Sequence, residues 1–146
     1  MLSEPVRNVM EPNKLLVAAP DTSVSAAAKL MADKKVGAVM VLDDTRLIGI
    51  FTERDLVVRV VAHGRDVHAT RLAEVMTKSP VTVSPGESFG YALLLMHENG
   101  FRHVPVVVDG EPVGIVSARS ALDPDLEEFE SEARRRKAIR REAVQR

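Results

Sequence analysis

The 146-residue sequence contains no cysteine and no tryptophan, has a single tyrosine, and is 3% aromatic. Without cysteine, disulfides and thiolate metal sites are excluded, which fits a reducing compartment. Few aromatics leave few platforms for stacking single-stranded bases. No apolar run approaches the roughly 20 residues needed to span a bilayer. The N-terminal stretch MLSEPVRNVM meets proline and charge too early for a secretory leader, so the expectation is a cytoplasmic protein with no membrane role. A dominant charge is missing too. Twenty Lys and Arg against 21 Asp and Glu give a net charge of −1, whereas a nucleic-acid footprint is usually strongly basic.

What is present is a soluble globular balance, 45% hydrophobic and 28% charged, and an internal repeat. LIGIFTERDL at 47–56 returns as PVGIVSARSAL at 112–122. Val9-Met10 answers Val75-Met76, Pro20 answers Pro85, Leu30-Met31 answers Leu95-Met96, and Gly49 answers Gly114. Such self-similarity fixes architecture before any single motif is weighed. The expectation is an α/β (α+β) protein: a first repeat over 1–64, a second over 65–122, and a charged helical tail over 123–146.

Each copy reads as strand, helix, strand, strand, helix. In the first, LLVAA forms a strand closed by Pro20, with Asp21 as the helix N-cap. Val24, Ala27, Ala28 and Met31 then make one apolar stripe at helical spacing. AVMVL and RLIGIF flank turn residues and form a hairpin, and a second helix runs from near Thr52 to Gly64. The second copy repeats this with VTV, a helix from Ser88 to Asn99, and HVPVVV and EPVGIV joined by the hairpin signal Asp109-Gly110. Pro105 implies an edge or bulged position. A unit of about 60 residues buries only a marginal core, so the two copies should pack face to face with pseudo-twofold symmetry. That packing would create two related clefts suited to small molecules.

TERD at 52–55 has a structural reading: Thr52 and Asp55 as a capping box, worth about 1 kcal/mol. The second copy keeps the hydroxyl at Ser117 but has Ser120 in place of the acid. A carboxylate can also accept from both hydroxyls of a ribose, beside a helix N-terminus that suits ligand oxygens. The residues alone leave both readings open. Gly49 and Gly114 would let the backbone pass close to a ligand or a neighbouring strand.

The doubled plan, together with VMTKSPVTV, FRHVPVVV and GIFTERDL/GIVSARSAL, resembles a tandem pair of CBS (cystathionine β-synthase) domains, also called a Bateman module, over residues 6 to 122. The resemblance implies regulatory binding of adenosine-containing ligands (AMP, ADP, ATP, NAD or S-adenosylmethionine) and no catalysis. It implies that Thr52 and Asp55 hold the ribose and nearby phosphate, that Ile50, Val104 and Pro105 sandwich the adenine, and that Arg102 and His103 meet phosphate. Lys35, Arg54 and Arg119 are further phosphate candidates, and Ser117 and Ser120 are the counterparts of Thr52 and Asp55. Because Ser120 offers one neutral acceptor, the expectation is a strong cleft at Asp55, reached by Arg102 and His103, and a weaker one at Ser120.

His63, His68, His97 and His103 show no i, i+4 zinc spacing, so no metal site is expected. Residues 123–132 hold six acids and no base, and 133–146 hold seven bases and one acid. This order complements a helix dipole, with Glu130-Arg134 and Glu132-Arg136 as i, i+4 pairs. Leu126, Phe129 and Ala133 form a short apolar stripe. The resemblance further implies a homodimer and an effector protein of unknown identity that reads the bound state. Alternatives are an interaction dimer with unoccupied clefts, or nucleic-acid association through the basic tail, which the scarcity of aromatics disfavours.

Overall fold

A computed structural model describes the backbone of residues 2–145 and the side chains of residues 2–120 and 131–144. Its strands are β1 (Val17–Ala18), β2 (Ala38–Asp43), β3 (Arg46–Thr52), β4 (Thr77–Lys78), β5 (His103–Val108) and β6 (Glu111–Ser117). Its helices are α1 (Val24–Lys34), α2 (Glu53–Asp55), α3 (Leu72–Val75), α4 (Phe89–Asn99) and α5 (Asp123–Gln145). The α/β architecture and the internal repeat read from the sequence are both present.

Several local details differ from the sequence reading. Ser23, not Asp21, caps α1, accepting from Ala26 N at 3.1 Å. The LLVAA run yields only the two residues of β1, and VTV yields a single parallel bridge, Val83 to Val106. The helix after Thr52 is α-helical for three residues and then π-helical over Leu56–Val61, where Ala62 N donates to Val57 O. After Ser117 the chain makes a 3-10 turn, Ala118–Leu122. The helix expected across Ser88 to Asn99 is present as α4, with Ser88 as its N-cap and Gly100 ending it at φ +71°. The Asp109-Gly110 turn has both residues at positive φ, 51° and 82°, as a tight hairpin turn requires. Pro105 O accepts from Val83 N, so the proline's N–H-less nitrogen lies on the side of β5 where only Val83 pairs.

The sheet β1-β2-β3-β4 belongs to the first copy except for its last strand, which is the second copy's leading segment paired at Gly49–Lys78 and Ile50–Thr77. The exchange is reciprocal. Glu11 N donates to Ile115 O, and Pro12, having no N–H, ends the pairing there. One core gathers Val24, Met31, Phe51 and Val60 with Leu72, Val75 and Met76; the other gathers Phe89, Met96, Val104 and Val116 with Val6, Val9 and Met10. Each copy thus completes the other's core. A third cluster, Ala38, Met40, Ile50 and Ile115, seals the seam between them. Full burial of Phe51 and Phe89 makes each worth about 3–5 kcal/mol against alanine.

Gly49 and Gly114 serve this exchange. A Cβ on Gly49 would run into the Met76 thioether, and one on Gly114 would lie 2.8 Å from Met10 Sδ. The space these glycines leave is filled by methionines of the opposite copy, not left for a ligand.

The described side chains of α5 are nearly all exposed, Ile139 and Val144 included. Glu132 pairs with Arg136 at 3.2 Å and with Arg135 at 3.1 Å. The side chains of Leu126, Phe129 and Glu130 lie outside the described residues. No helix among the described residues is long and apolar enough to cross a membrane.

Candidate functional site

Two cavities open along the seam. One, of about 540 Å³, is lined by Ile50, Thr52, Arg54 and Asp55 from the first copy and by Phe101 and His103 from the second. The other, of about 350 Å³, lies against Ser117 and takes Lys35, Arg54, Arg102, His103 and Arg119 into its wall. They share Thr52, Arg54, Gly100, Phe101 and His103, so one partition separates them.

Thr52 ends β3 in extended conformation and opens α2, which places its hydroxyl over the first turn. The capping box is complete: Asp55 N donates to Thr52 Oγ1 at 3.3 Å, and Thr52 N donates back to Asp55 Oδ2 at 2.9 Å. The Thr52 hydroxyl also donates to Oδ2 at 3.2 Å. Asp55 Oδ1 faces Arg59 Nε at 3.4 Å. Arg59 in turn donates to the carbonyls of Val75 and Met76, at 3.3 and 3.0 Å, tying the π-helical turn to the end of α3. The sequence reading missed Arg59, although its i+4 spacing from Asp55 on one helix was a usable signal.

In the second copy the box survives in reduced form. Ser117 N donates to Ser120 Oγ at 3.3 Å, and the two hydroxyls lie 3.4 Å apart. Ser120 is therefore not without a reach-back bond, but it is buried and lines neither cavity.

The other expected residues divide. Ile50 lines the Asp55 cavity, and its counterpart Ile115, which the sequence reading passed over, lines the second. Val104 and Pro105 are buried and line neither; Val104 packs in the second core. A sandwich of adenine by these two is therefore corrected: Val104 points into the second core, while Pro105 lies on the opposite face of β5, buried opposite Ile115. Neither forms part of a cavity wall against which an adenine would be sandwiched. Arg102, just before β5, lines the Ser117 cavity and not the Asp55 one, whereas the next residue, His103, lines both. Arg54 donates to Gly100 O at 3.0 Å, closing α4 from the other copy.

His103 stands in the partition. Burial pushes its pKa below 6.5, Glu53 opposes that by attraction, and Arg102 adds to it by repulsion. Neutral near pH 7, it offers one donor and one acceptor. Glu53 N donates to Gly37 O, and Ala118 N to Arg102 O, the same bond in each copy. No cluster of three or more His, Asp or Glu able to hold a metal occurs among the described residues.

Comparison with known proteins follows the same outline. The CBS domain model matches residues 6–62 and 72–125. The meiotically up-regulated gene 70 protein of Schizosaccharomyces pombe is 39% identical over 114 residues, covering 70% of this chain and 16% of that protein. The uncharacterized 17.7 kDa protein in the bps2 3′ region of Acidianus ambivalens is 36% identical over 80% of this chain and 73% of its own. The first relatives matched are longer; the chain spans between 16% and 24% of their length. An uncharacterized conserved protein of Pyrococcus horikoshii superposes with TM-score 0.79 at 29% identity, over 86% of this chain and 94% of that one. The CBS domain pair of protein MJ0100, solved with 5′-methylthioadenosine and S-adenosyl-L-methionine, shares the fold at TM-score 0.73 and 23% identity, over 81% and 96% of the two chains.

Proposed function

The chain belongs to the CBS domain family, and from that premise we propose that it is a non-enzymatic regulatory module whose seam binds an adenosine-containing ligand and relays the bound state to a partner protein. The observation that supports this best is the Asp55 cavity. It combines an apolar wall at Ile50, a ring at Phe101, and a carboxylate with a neighbouring hydroxyl, which suits an adenine and a ribose diol. A ligand held between the copies would fix their relative angle, and the signal is bounded by its differential affinity for the two arrangements. In this reading the module works in the cytoplasm as a homodimer.

One observation favours a second reading. Both Asp55 oxygens are already engaged, by Thr52 and by Arg59, so the motif suffices as a cap and the clefts of an interaction dimer would stay empty. A melting series with AMP, ADP, ATP, NAD and S-adenosylmethionine separates the two. A ligand at about 100 times its Kd adds about 2.7 kcal/mol. Absence of any shift across the panel removes the adenosine reading and leaves the structural one.

A further inference from the structure

We propose that α5 is a self-pairing surface: the tails of two copies lie antiparallel, centred on Ala133, so that the acidic half of each meets the basic half of the other. This contact rests on the tail alone and is independent of ligand binding along the seam.

The CBS match ends at residue 125, so nearly all of the 23-residue helix α5 lies beyond it. Residues 123–146 carry seven acids and seven bases, yet the two signs are segregated: six acids fall within 123–132, and six bases with one acid fall within 134–143. The helix dipole acts only within the first and last turns, so it accounts for few of these charges. Pairing inside the helix accounts for the junction alone, where Glu132 takes Arg135 at 3.1 Å and Arg136 at 3.2 Å. Within α5, Asp123, Asp125, Glu127 and Glu128 have no base three or four places away, and Lys137, Arg140 and Arg141 have no acid. Like charges recur at i, i+4 instead: Asp123 with Glu127, Glu128 with Glu132, Arg136 with Arg140, and Lys137 with Arg141. Each such pair opposes the helix. A helix of this kind is stabilised when each half meets the opposite charge from outside.

A second copy meets that requirement by itself. Running antiparallel about Ala133, the boundary between the two runs, it sets Asp125, Glu130 and Glu132 level with Arg141, Arg136 and Arg134, and twofold symmetry repeats the match. A parallel pair sets like charge against like. The stripe of Leu126, Phe129 and Ala133 continues at helical spacing to Ala143 and Val144, and an alanine at the centre lets the two axes approach. Among the described side chains of α5, all but Glu132 are exposed, Ile139 and Val144 included. A polyanion fits this helix less well, since the acidic half repels it.

The chain has no cysteine, so one introduced thiol reports the pairing in the full-length protein. With oxidised glutathione, Ala133→Cys should give a disulfide-linked dimer, because the two thiols meet at the centre. Ala143→Cys should not, since antiparallel copies hold those positions about 30 Å apart. Raising salt from about 50 to 500 mM should slow the linking. Adding Lys137→Glu, Arg140→Glu and Arg141→Glu to Ala133→Cys should abolish it. Mixing that protein with one carrying Ala133→Cys, Asp125→Lys, Glu127→Lys and Glu128→Lys should restore it as a mixed dimer. Equal linking by the two single-cysteine variants, or linking indifferent to salt and charge reversal, overturns the proposal. So does the absence of linking, and retention of the unmodified chain on duplex DNA would then assign the basic half to a polyanion. None of these outcomes alters the melting series with nucleotides, so the two readings fail separately.

Discussion

Arg59 holds Asp55 from one turn away, Nε to Oδ1 at 3.4 Å, while its other nitrogen donates to the carbonyls of Val75 and Met76. One guanidinium therefore joins the capping box of the first copy to the segment lent by the second. The carbonyl bonds should outweigh the ion pair, because Arg59 is half exposed and such pairs are worth little. Arg59→Met is expected to cost about 1–3 kcal/mol, read as a lower urea midpoint at unchanged slope. A cost below about 0.5 kcal/mol would show that solvent replaces those bonds.

The second copy lacks both members of this pair. Ser120 stands for Asp55, and Pro124 for Arg59. Restoring the acid alone should therefore do harm: Ser120→Asp places a carboxylate in a buried position without its cation. A loss of about 1–3 kcal/mol is expected at neutral pH, shrinking as pH falls toward 4. A stabilising result would mean that the completed capping box outweighs the burial of charge.

Gly114→Ala should destabilise by about 1–3 kcal/mol, since its methyl meets Met10 Sδ. The double variant Gly114→Ala with Met10→Ala should lose less than the two single losses added together, because one defect makes room for the other. Strict additivity in denaturant unfolding would show that the two sites do not touch in solution.

His103 gives a pH dependence with a definite sign. Its folded pKa lies below 6.5, chiefly through burial, with Glu53 and Arg102 acting in opposite directions and Arg54 in the same partition. Below pH 6.5 the unfolded chain binds the proton more readily than the folded one, so stability is present above that pH and falls as pH drops through it. His103→Gln should flatten the slope of melting temperature between about pH 6.5 and 5. An unchanged slope would place the loss on carboxylates instead.

The repeat, the two hairpins, the helix across Ser88 to Asn99, and membership of a tandem family were legible in the sequence, because each is written by local periodicity or by turn chemistry. Asp55–Arg59 was legible too, in i, i+4 spacing, once the helix was assigned. The π-helical turn was not, since its hydrogen-bond spacing depends on what Arg59 and Val60 pack against. The cap of α1 was misplaced by two residues because Asp21, Thr22 and Ser23 are all competent caps and only the bridge from Ser23 to Arg71 selects among them.

By itself the sequence determined that one unit is written twice and which chemistry each copy carries, since residue identity and spacing are properties of the chain. Only the tertiary structure decided that each copy lends its leading segment to the other, that Val104 enters the second core while Pro105 is buried opposite Ile115, and that Arg102 faces the Ser117 cavity. Those outcomes depend on which strand face meets the seam, and the seam exists only once Ala38, Met40, Ile50 and Ile115 have come together from the two copies.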